Sequence, residues 1–339
     1  MLSSLTSQTE ATPSSSAEET SDTTPESTQP AGPTGSLSGY TVILDPGHGG
    51  KGAGEKTDRG CDYPYWSGQN EEPEFTLKIA ELLSQELESR GATVYITHMD
   101  DEYYSLFYRC AFVHQTCLDI AKDRGILSLS AEREQELRNS LKKVQEVNSR
   151  EFSNGGMGLM GGSGVGKDLN DLFEVEYQLK DVIFVSLHIN SLFDQTDDGK
   201  YVPVTKQRGA QVYYITDDVA NAYEERQKKK SNTEFQDPNF PIRDPYFGRY
   251  NDNNKLLANS IYNAIVEDIP DLKLRYDDPI KTDAFAVLRE HGLVGCLVEF
   301  AFVTNDEDRA ILQSEDKLRE ECSSVADGIE DYFAKMGNS

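Results

Sequence analysis

From Tyr40 onward, short apolar runs alternate with longer segments in which apolar residues recur every three or four positions. The runs YTVILD (40–45), ATVYIT (92–97), DVIFVSLHI (181–189), AQVYYIT (210–216) and GCLVEFAF (295–302) predict strands. Between the first two, Leu77, Ala80, Leu83 and Leu87 fall at helical spacing. Pro73 suits the first turn of that helix, where its missing N–H costs nothing, and Arg90-Gly91 closes it with a cation and a glycine. Further helices are predicted around 102–121, 252–268 and 315–336. Strand–helix alternation over one span predicts an α/β fold: a single twisted, mainly parallel sheet flanked by helices on both faces.

Three segments depart from this rhythm. Residues 1–39 are dominated by Ser, Thr, Pro, Gly and Glu with no Lys or Arg, too poor in apolar surface to offset the entropy of ordering; a disordered tail or tether is expected. Residues 115–180 form a mostly polar insertion, helical in large part. Within it 131–152 predicts a charged helix with a thin stripe of Leu137, Leu141, Val144 and Val147, and Ser130 is a candidate N-cap. Residues 223–251, rich in Lys, Asn, Asp and Pro, read as a long surface loop. The folded domain is expected over 40–336.

Charge narrows the partners. The 339 residues carry 59 acidic against 33 basic side chains, a formal net charge of −26. A phosphate backbone or an anionic membrane surface would be repelled, so no nucleic-acid partner is expected. No apolar run is long enough to cross a bilayer, and no export signal or anchor is visible in the sequence. The five cysteines show no metal-knuckle spacing, and Cys296, inside an apolar run, reads as a small buried side chain.

The run GGSGVGK (161–167) approaches a phosphate-binding loop. It lacks the Ser or Thr after the lysine, has Asp168 there instead, and follows no strand, so a flexible loop is the better reading. Two of the histidines, His48 in LDPGHGG and His188 in VSLHIN, fall where strands end, at the sheet edge where ligands bind in open α/β folds. Either alone reads more simply as a packed or solvated side chain than as a ligand; together they are candidates for holding a metal. Glu299 lies in a strand apolar on both sides, and a buried carboxylate is costly unless bonded, protonated or beside a cation. Glu71, Glu72 and Glu74 crowd the start of the first helix, where acidic residues also favour the helix dipole.

The motifs ILDPGHGG, a glutamate before the first helix, FVSLHIN, VLRE and LVEFAFVTN occur in an order that resembles the zinc-dependent N-acetylmuramoyl-L-alanine amidases over about 40–336. The resemblance implies one Zn2+ per chain held by His48, Glu72 and His188, with Glu71 and Glu74 as the less favoured alternatives, and Glu299 acting on the attacking water. It implies hydrolysis of the amide between the lactyl group of N-acetylmuramic acid and L-alanine in peptidoglycan, and so a cell-wall hydrolase working outside the cell or in its envelope. Asp45 and Asn190 are candidates for orienting the two imidazoles. Arg289 in VLRE is a candidate for contacting the substrate or bracing Glu299.

Departures from the family pattern qualify this. Thr97-His98 stands where the family has Thr-Arg, and His98 is not expected to be a ligand. The 115–180 insertion replaces a short connection; its charged helix could gate the site until an activator protein displaces it, or could be a decorative or wall-contacting addition. A zinc peptidase or amidase acting on another acyl-amino substrate is the alternative within enzymes. A peptidoglycan-binding protein without turnover is the alternative outside them.

Overall fold

The computed structural model describes residues 35–50, 58–148, 166–228 and 250–337. The apolar runs become strands: β1 (Thr41–Pro46), β2 (Thr93–Ile96), β3 (Val182–Asn190), β6 (Gln211–Tyr214) and β8 (Val294–Phe302). Between β3 and β6 lies a two-stranded hairpin, β4 (Phe193–Gln195) and β5 (Tyr201–Pro203), and β7 (Ile280–Thr282) precedes β8. The helices are α1 (Glu72–Ser89), α2 (Leu106–Asp123), α3 (Ala131–Asn148), α4 (Gly166–Glu176), α5 (Asp217–Lys228), α6 (Asn251–Asp268), α7 (Ala286–Arg289), α8 (Asp306–Leu312) and α9 (Glu315–Gly337).

The main sheet runs β2-β1-β3-β8-β6-β7. Its centre, β2 through β8, is parallel, while β6 lies antiparallel to β8 and β7 parallel to β6. The reversal has a topological cause. A parallel neighbour needs a crossover connection, usually a helix. Between β3 and β6 the chain makes only the β4–β5 hairpin, so it re-enters the sheet from the edge at which β3 left it.

Side chains alternate across the strands and build two cores. Val42, Leu44, Val185, Leu187, Cys296 and Val298 face one cluster with Ile79 and Leu83 of α1, Leu257 and Ile261 of α6, and Val325 and Ile329 of α9. Ile43, Phe184 and Leu297 face the other, with Cys117 and Leu118 of α2, Leu141 of α3 and Phe173 of α4. Strands apolar on both faces are what a parallel sheet covered on both sides requires.

Helix α3 begins where the sequence indicates. Ser130 Oγ accepts from Arg133 N at 3.2 Å, and Leu137, Leu141 and Val144 are buried in the cluster that α2 also lines. Residues 149–152 of the expected helix, and 161–165 of the glycine-rich run, lie outside the described residues; Gly166 and Lys167 open α4. The insertion is pinned to the sheet by a buried pair. His114 Nδ1 of α2 and Glu176 Oε1 of α4 are 2.5 Å apart, and Glu176 Oε2 accepts from Gly292 N at 2.6 Å, just before β8. The expected loop at 223–251 differs at its start, where 223–228 complete α5; 229–249 lie outside the described residues.

One buried carboxylate has neither oxygen satisfied. Glu321 on α9 is inaccessible to solvent, and neither of its carboxylate oxygens has a hydrogen-bond partner among the described residues. Burial first, and the charge of Asp308 second, push its pKa well above the usual carboxylate range. The folded protein therefore binds this proton more tightly than the unfolded chain does. That contribution is complete below the unfolded value of about 4.3 and is lost as pH rises toward the folded value. Glu321→Gln is expected to stabilise the protein by about 1–3 kcal/mol at about pH 8 and to change little near pH 4. Calorimetric melting at the two pH values checks this; a variant less stable at the higher pH would contradict it.

Candidate metal centre and catalytic cleft

Beyond β1, Gly47-His48-Gly49-Gly50 turns off the sheet edge, with His48 at φ +64° and Gly49 at +139°. A non-glycine residue in the left-handed region costs about 1–3 kcal/mol and persists only where its surroundings hold it. Those surroundings are evident. Gly47 N donates to Leu187 O of β3 (2.7 Å), Thr76 Oγ1 of α1 donates to Gly47 O (2.8 Å), and Gly49 and Asp58 exchange two backbone hydrogen bonds (2.9 and 3.1 Å). The loop is fastened to a strand, a helix and a second loop at once.

Glu72, the first residue of α1, gathers the site. Its Oε1 lies 2.9 Å from His188 Nδ1 and accepts from Ile189 N at 3.1 Å. Its Oε2 accepts from Cys61 N at 2.9 Å and lies 3.4 Å from His48 Nε2. The rings of His48 and His188 stand edge to face, with centroids 5.0 Å apart. Glu71, by contrast, accepts from Arg59 Nη1 at 2.6 Å, and Glu74 is exposed. The sequence leaves three carboxylates in contention; the fold brings Glu72 to both imidazoles.

The donor set fits a divalent cation. One ligand atom each from His48, Glu72 and His188 lies within 4.8 Å of the others. Two imidazoles and a carboxylate are a ligand set of catalytic zinc sites, which keep a fourth position open. The backbone leaves room for it. A Cβ on Gly47 would fall 2.6 Å from His188 Nδ1, and one on Gly60, at φ +61°, would fall 2.6 Å from His48 Cδ2.

Glu299 joins the group from β8, in register with His188 on β3, with a register shift between His188 and Asn190 at the strand end. Although the residue is partly exposed, its Oε2 is buried and has no hydrogen-bond partner among the described residues. Burial, followed by the nearby charge of Glu72, pushes its pKa well above the ordinary carboxylate value. Glu72 itself is held low: burial opposes its charge, but His48 and the bonds from His188 and Cys61 N outweigh burial. Burial opposes protonation of His48 as well, yet Glu72 and Asp58 raise it to about 9. His188 is lowered by burial despite its bond to Glu72, and the charge of His48 adds to that depression.

The supporting residues differ from expectation. Asp45 is fully buried and is spent on structure: Thr97 Oγ1 (2.7 Å), Ser186 Oγ (3.0 Å) and Arg109 Nη1 (2.7 Å) all donate to it, and neither ligand imidazole does. Asn190 Oδ1 accepts from Ser191 N at 2.8 Å and its Nδ2 donates to Gln211 Oε1 at 3.4 Å, so it too serves the strand end instead of an imidazole. Asp58 takes the orienting position: its Oδ1 lies 2.7 Å from His48 Nδ1, on the side of the ring away from Glu72. Arg289 is buried, donates to Ala284 O (2.5 Å) and Glu290 Oε1 (3.3 Å), and stacks on Tyr223. His98 packs against Tyr104 and stays outside the cluster; burial and Arg109 lower its pKa to about 4. Arg109, which also donates to Pro46 O at 3.1 Å, escaped the sequence reading because a charge in a helix gives no sign of being buried.

A cleft of about 510 Å³ opens over His48, Asp58 and Glu72 and is lined also by Tyr65, Trp66 and Phe193, among others. An α/β sheet that gathers two imidazoles and a carboxylate at one edge, from a strand, a loop and a helix start, with a second carboxylate in register beside one imidazole, defines a metallohydrolase-like protein.

Comparison with known proteins narrows the class. The profile of the N-acetylmuramoyl-L-alanine amidase family matches residues 42–121 and 134–331, and the chain belongs to that family. YrvJ of Bacillus subtilis, provisionally named an N-acetylmuramoyl-L-alanine amidase, is 43% identical over 101 residues, 30% of this chain and 17% of YrvJ. LytH of Staphylococcus aureus, named a probable cell wall amidase, is 41% identical over 70 residues, 21% of this chain and 22% of LytH. The chain thus spans less than a quarter of the length of either relative. Among solved structures, Ami1 of Mycobacterium smegmatis aligns with a TM-score of 0.49 at 13% identity, covering 88% of this chain and 99% of Ami1. CwlD of Clostridioides difficile, solved with the GerS lipoprotein, aligns with a TM-score of 0.45 at 17% identity, covering 87% and 99%.

Two substitutions test the geometry. Asp58→Ala removes the partner of His48 Nδ1 and is expected to weaken zinc binding about 10–100-fold, measured by competition with a chromophoric chelator; unchanged affinity would mean that Asp58 does not orient the ring. Gly60→Ala pushes a methyl group against His48 and Glu72, and is expected to weaken zinc binding at least as much while the circular dichroism spectrum stays native.

Proposed function

We propose that the protein hydrolyses the amide bond between the lactyl group of N-acetylmuramic acid and L-alanine in peptidoglycan. The observation that carries this reading is the convergence of His48, Glu72 and His188 within 4.8 Å of one another, beside a Glu299 Oε2 that has no partner among the described residues, in a chain of the amidase family. His48, Glu72 and His188 would hold one zinc ion per chain. A bound zinc supplies a water acidic enough to ionise near neutral pH and a Lewis acid for the carbonyl oxygen.

The chain's own groups account for the proton traffic. Glu299 accepts the proton of the water whose oxygen attacks the carbonyl carbon. It then gives that proton to the alanine nitrogen as the C–N bond breaks, leaving a lactyl carboxylate and a free amine. A carboxyl raised by burial suits the second role, because its affinity for a proton lies nearer the working pH. Asp58 holds the tautomer and direction of His48.

The substrate implies action at the cell wall, outside the cell or in its envelope. No helix among the described residues is long and apolar enough to cross a membrane. An activator protein working through the described helices of the 115–180 insertion would act through α2. Helices α3 and α4 pack on that helix, and no described residue of either lines the cleft. Arg109 of α2 bonds to Asp45 and Pro46 O at the root of the histidine loop, which offers such a contact a route to the ligands.

Digestion of purified peptidoglycan with the zinc-loaded protein, followed by mass analysis, is expected to release stem peptides with free L-alanine amino groups. Cleavage inside the peptide would favour the peptidase alternative. Glu299→Gln is expected to retain stoichiometric zinc and lose about 10²–10⁴-fold in kcat. Loss of the metal itself would make Glu299 a ligand.

A further inference from the structure

One wall of the cleft has no part in the hydrolytic chemistry. Tyr65 and Trp66, in the loop between Cys61 and α1, and Phe193, at the start of β4, line the same cleft as His48 and Glu72. Tyr65 stacks on Tyr201 of β5 with centroids 4.3 Å apart and meets Phe193 edge-on at 5.1 Å and Trp66 at 5.9 Å. These rings are displayed, not packed away: Trp66 is 76% exposed, and Tyr65 and Tyr201 stand open beside it. A contiguous exposed aromatic surface continuous with a reactive site marks a place where something docks.

The loop is built to hold that display. Trp66 sits at φ +56°, a conformation that a bulky residue adopts only when constrained. Asp62 supplies the constraint, its two carboxylate oxygens accepting from Trp66 N (2.8 Å) and Gly68 N (2.9 Å), while Tyr63 N bonds to Gln69 O (3.1 Å). The guanidinium of Arg309 lies over the Tyr63 ring at 4.3 Å and braces the loop from behind. The opposing hairpin springs directly from β3, two residues after the strand that carries His188 ends. Rings fixed before a ligand arrives lose little entropy on binding.

We propose that Tyr65, Trp66, Phe193 and Tyr201 form a saccharide subsite that stacks a pyranose ring of the glycan strand and so presents the adjoining lactyl amide to Glu299. This rests on the amidase reading above. The choice of sugar over stem peptide follows from charge. The electron-rich faces of aromatic rings attract the partly positive C–H face of a pyranose. An acidic peptide along this wall would meet Asp58 and Asp62, and Arg59, the guanidinium on the lining, already donates to Glu71.

Trp66 is the single tryptophan of the chain, so its emission reports on the subsite directly. With the zinc-loaded full chain, a peptide-free disaccharide of N-acetylglucosamine and N-acetylmuramic acid is expected to shift and quench that emission saturably, and the free stem peptide is not. No response to the disaccharide, or a response to the peptide alone, would overturn the proposal. In kinetics, Trp66→Ala is expected to raise KM for a soluble muropeptide about tenfold with kcat nearly unchanged. The same variant should leave cleavage of an N-lactyl peptide that lacks the sugar ring at the wild-type rate. Tyr201→Ala, on the other side of the wall, should behave alike. Equal losses on both substrates would reduce these rings to a structural role and sink the subsite. If the wild type cleaved neither substrate, the amidase reading would fall, and the fluorescence titration would still decide for or against saccharide binding.

Discussion

The carboxylate of Glu72 is the tie on which the site depends. It sits buried at the first turn of a helix and is bonded by two backbone N–H groups, from Cys61 and Ile189, while both imidazoles lean on it. A buried anion with this many donors is fixed in position and stays ionised. These partners come from three separate parts of the chain, and Glu72 itself from a fourth. The β1 loop, the 58–61 segment, α1 and the end of β3 are thereby held in one arrangement. Fastening Gly47 to Leu187 and Thr76 performs the same task from the backbone side.

Around this tie the sheet acts as a jig. Three adjacent parallel strands, β1, β3 and β8, end at one edge, so His48, His188 and Glu299 arrive together although they are far apart in sequence. The underside is braced by Asp45, which joins β1 to β3 through Ser186 and to α2 through Arg109. Breaking such a buried pair strands a charge, at a cost of about 3–5 kcal/mol. The aromatic wall is set against the same edge by a hairpin that continues β3, so substrate positioning and chemistry share one scaffold.

Much of this was legible beforehand. Short, nearly continuous apolar runs, such as VILD and VIFVSL, read as strands of a sheet covered on both sides, and they placed the two histidines at strand ends. Glu299 stood out because its neighbours in GCLVEFAF are apolar on both sides, although a solvent-facing position in a half-buried strand was the competing reading. The supporting cast was harder to read. Asp58 lies in a polar stretch without periodicity, and only the Gly49–Asp58 bridge brings it back to His48. Asp45 looked like a turn residue beside proline, yet it closes a buried strand and is consumed by Arg109, a helical charge whose burial no local pattern betrays. The antiparallel entry of β6 was hidden because strand direction depends on what connects two strands, and the short β4–β5 hairpin carries little apolar signal. The thin apolar stripe of α3 was visible, but which neighbour it packs against was not; it lies on α2, away from the cleft lining.

The account reduces to a claim about ligands: two imidazoles and one carboxylate hold the metal, with the thiol of Cys61, which also lines the cleft, left out. X-ray absorption at the zinc edge of the stoichiometrically loaded protein addresses it directly. The account predicts a shell of nitrogen and oxygen scatterers at about 2.0–2.1 Å, with multiple scattering from two imidazoles. A sulfur shell near ~2.3 Å, or the signature of only one imidazole, would contradict it.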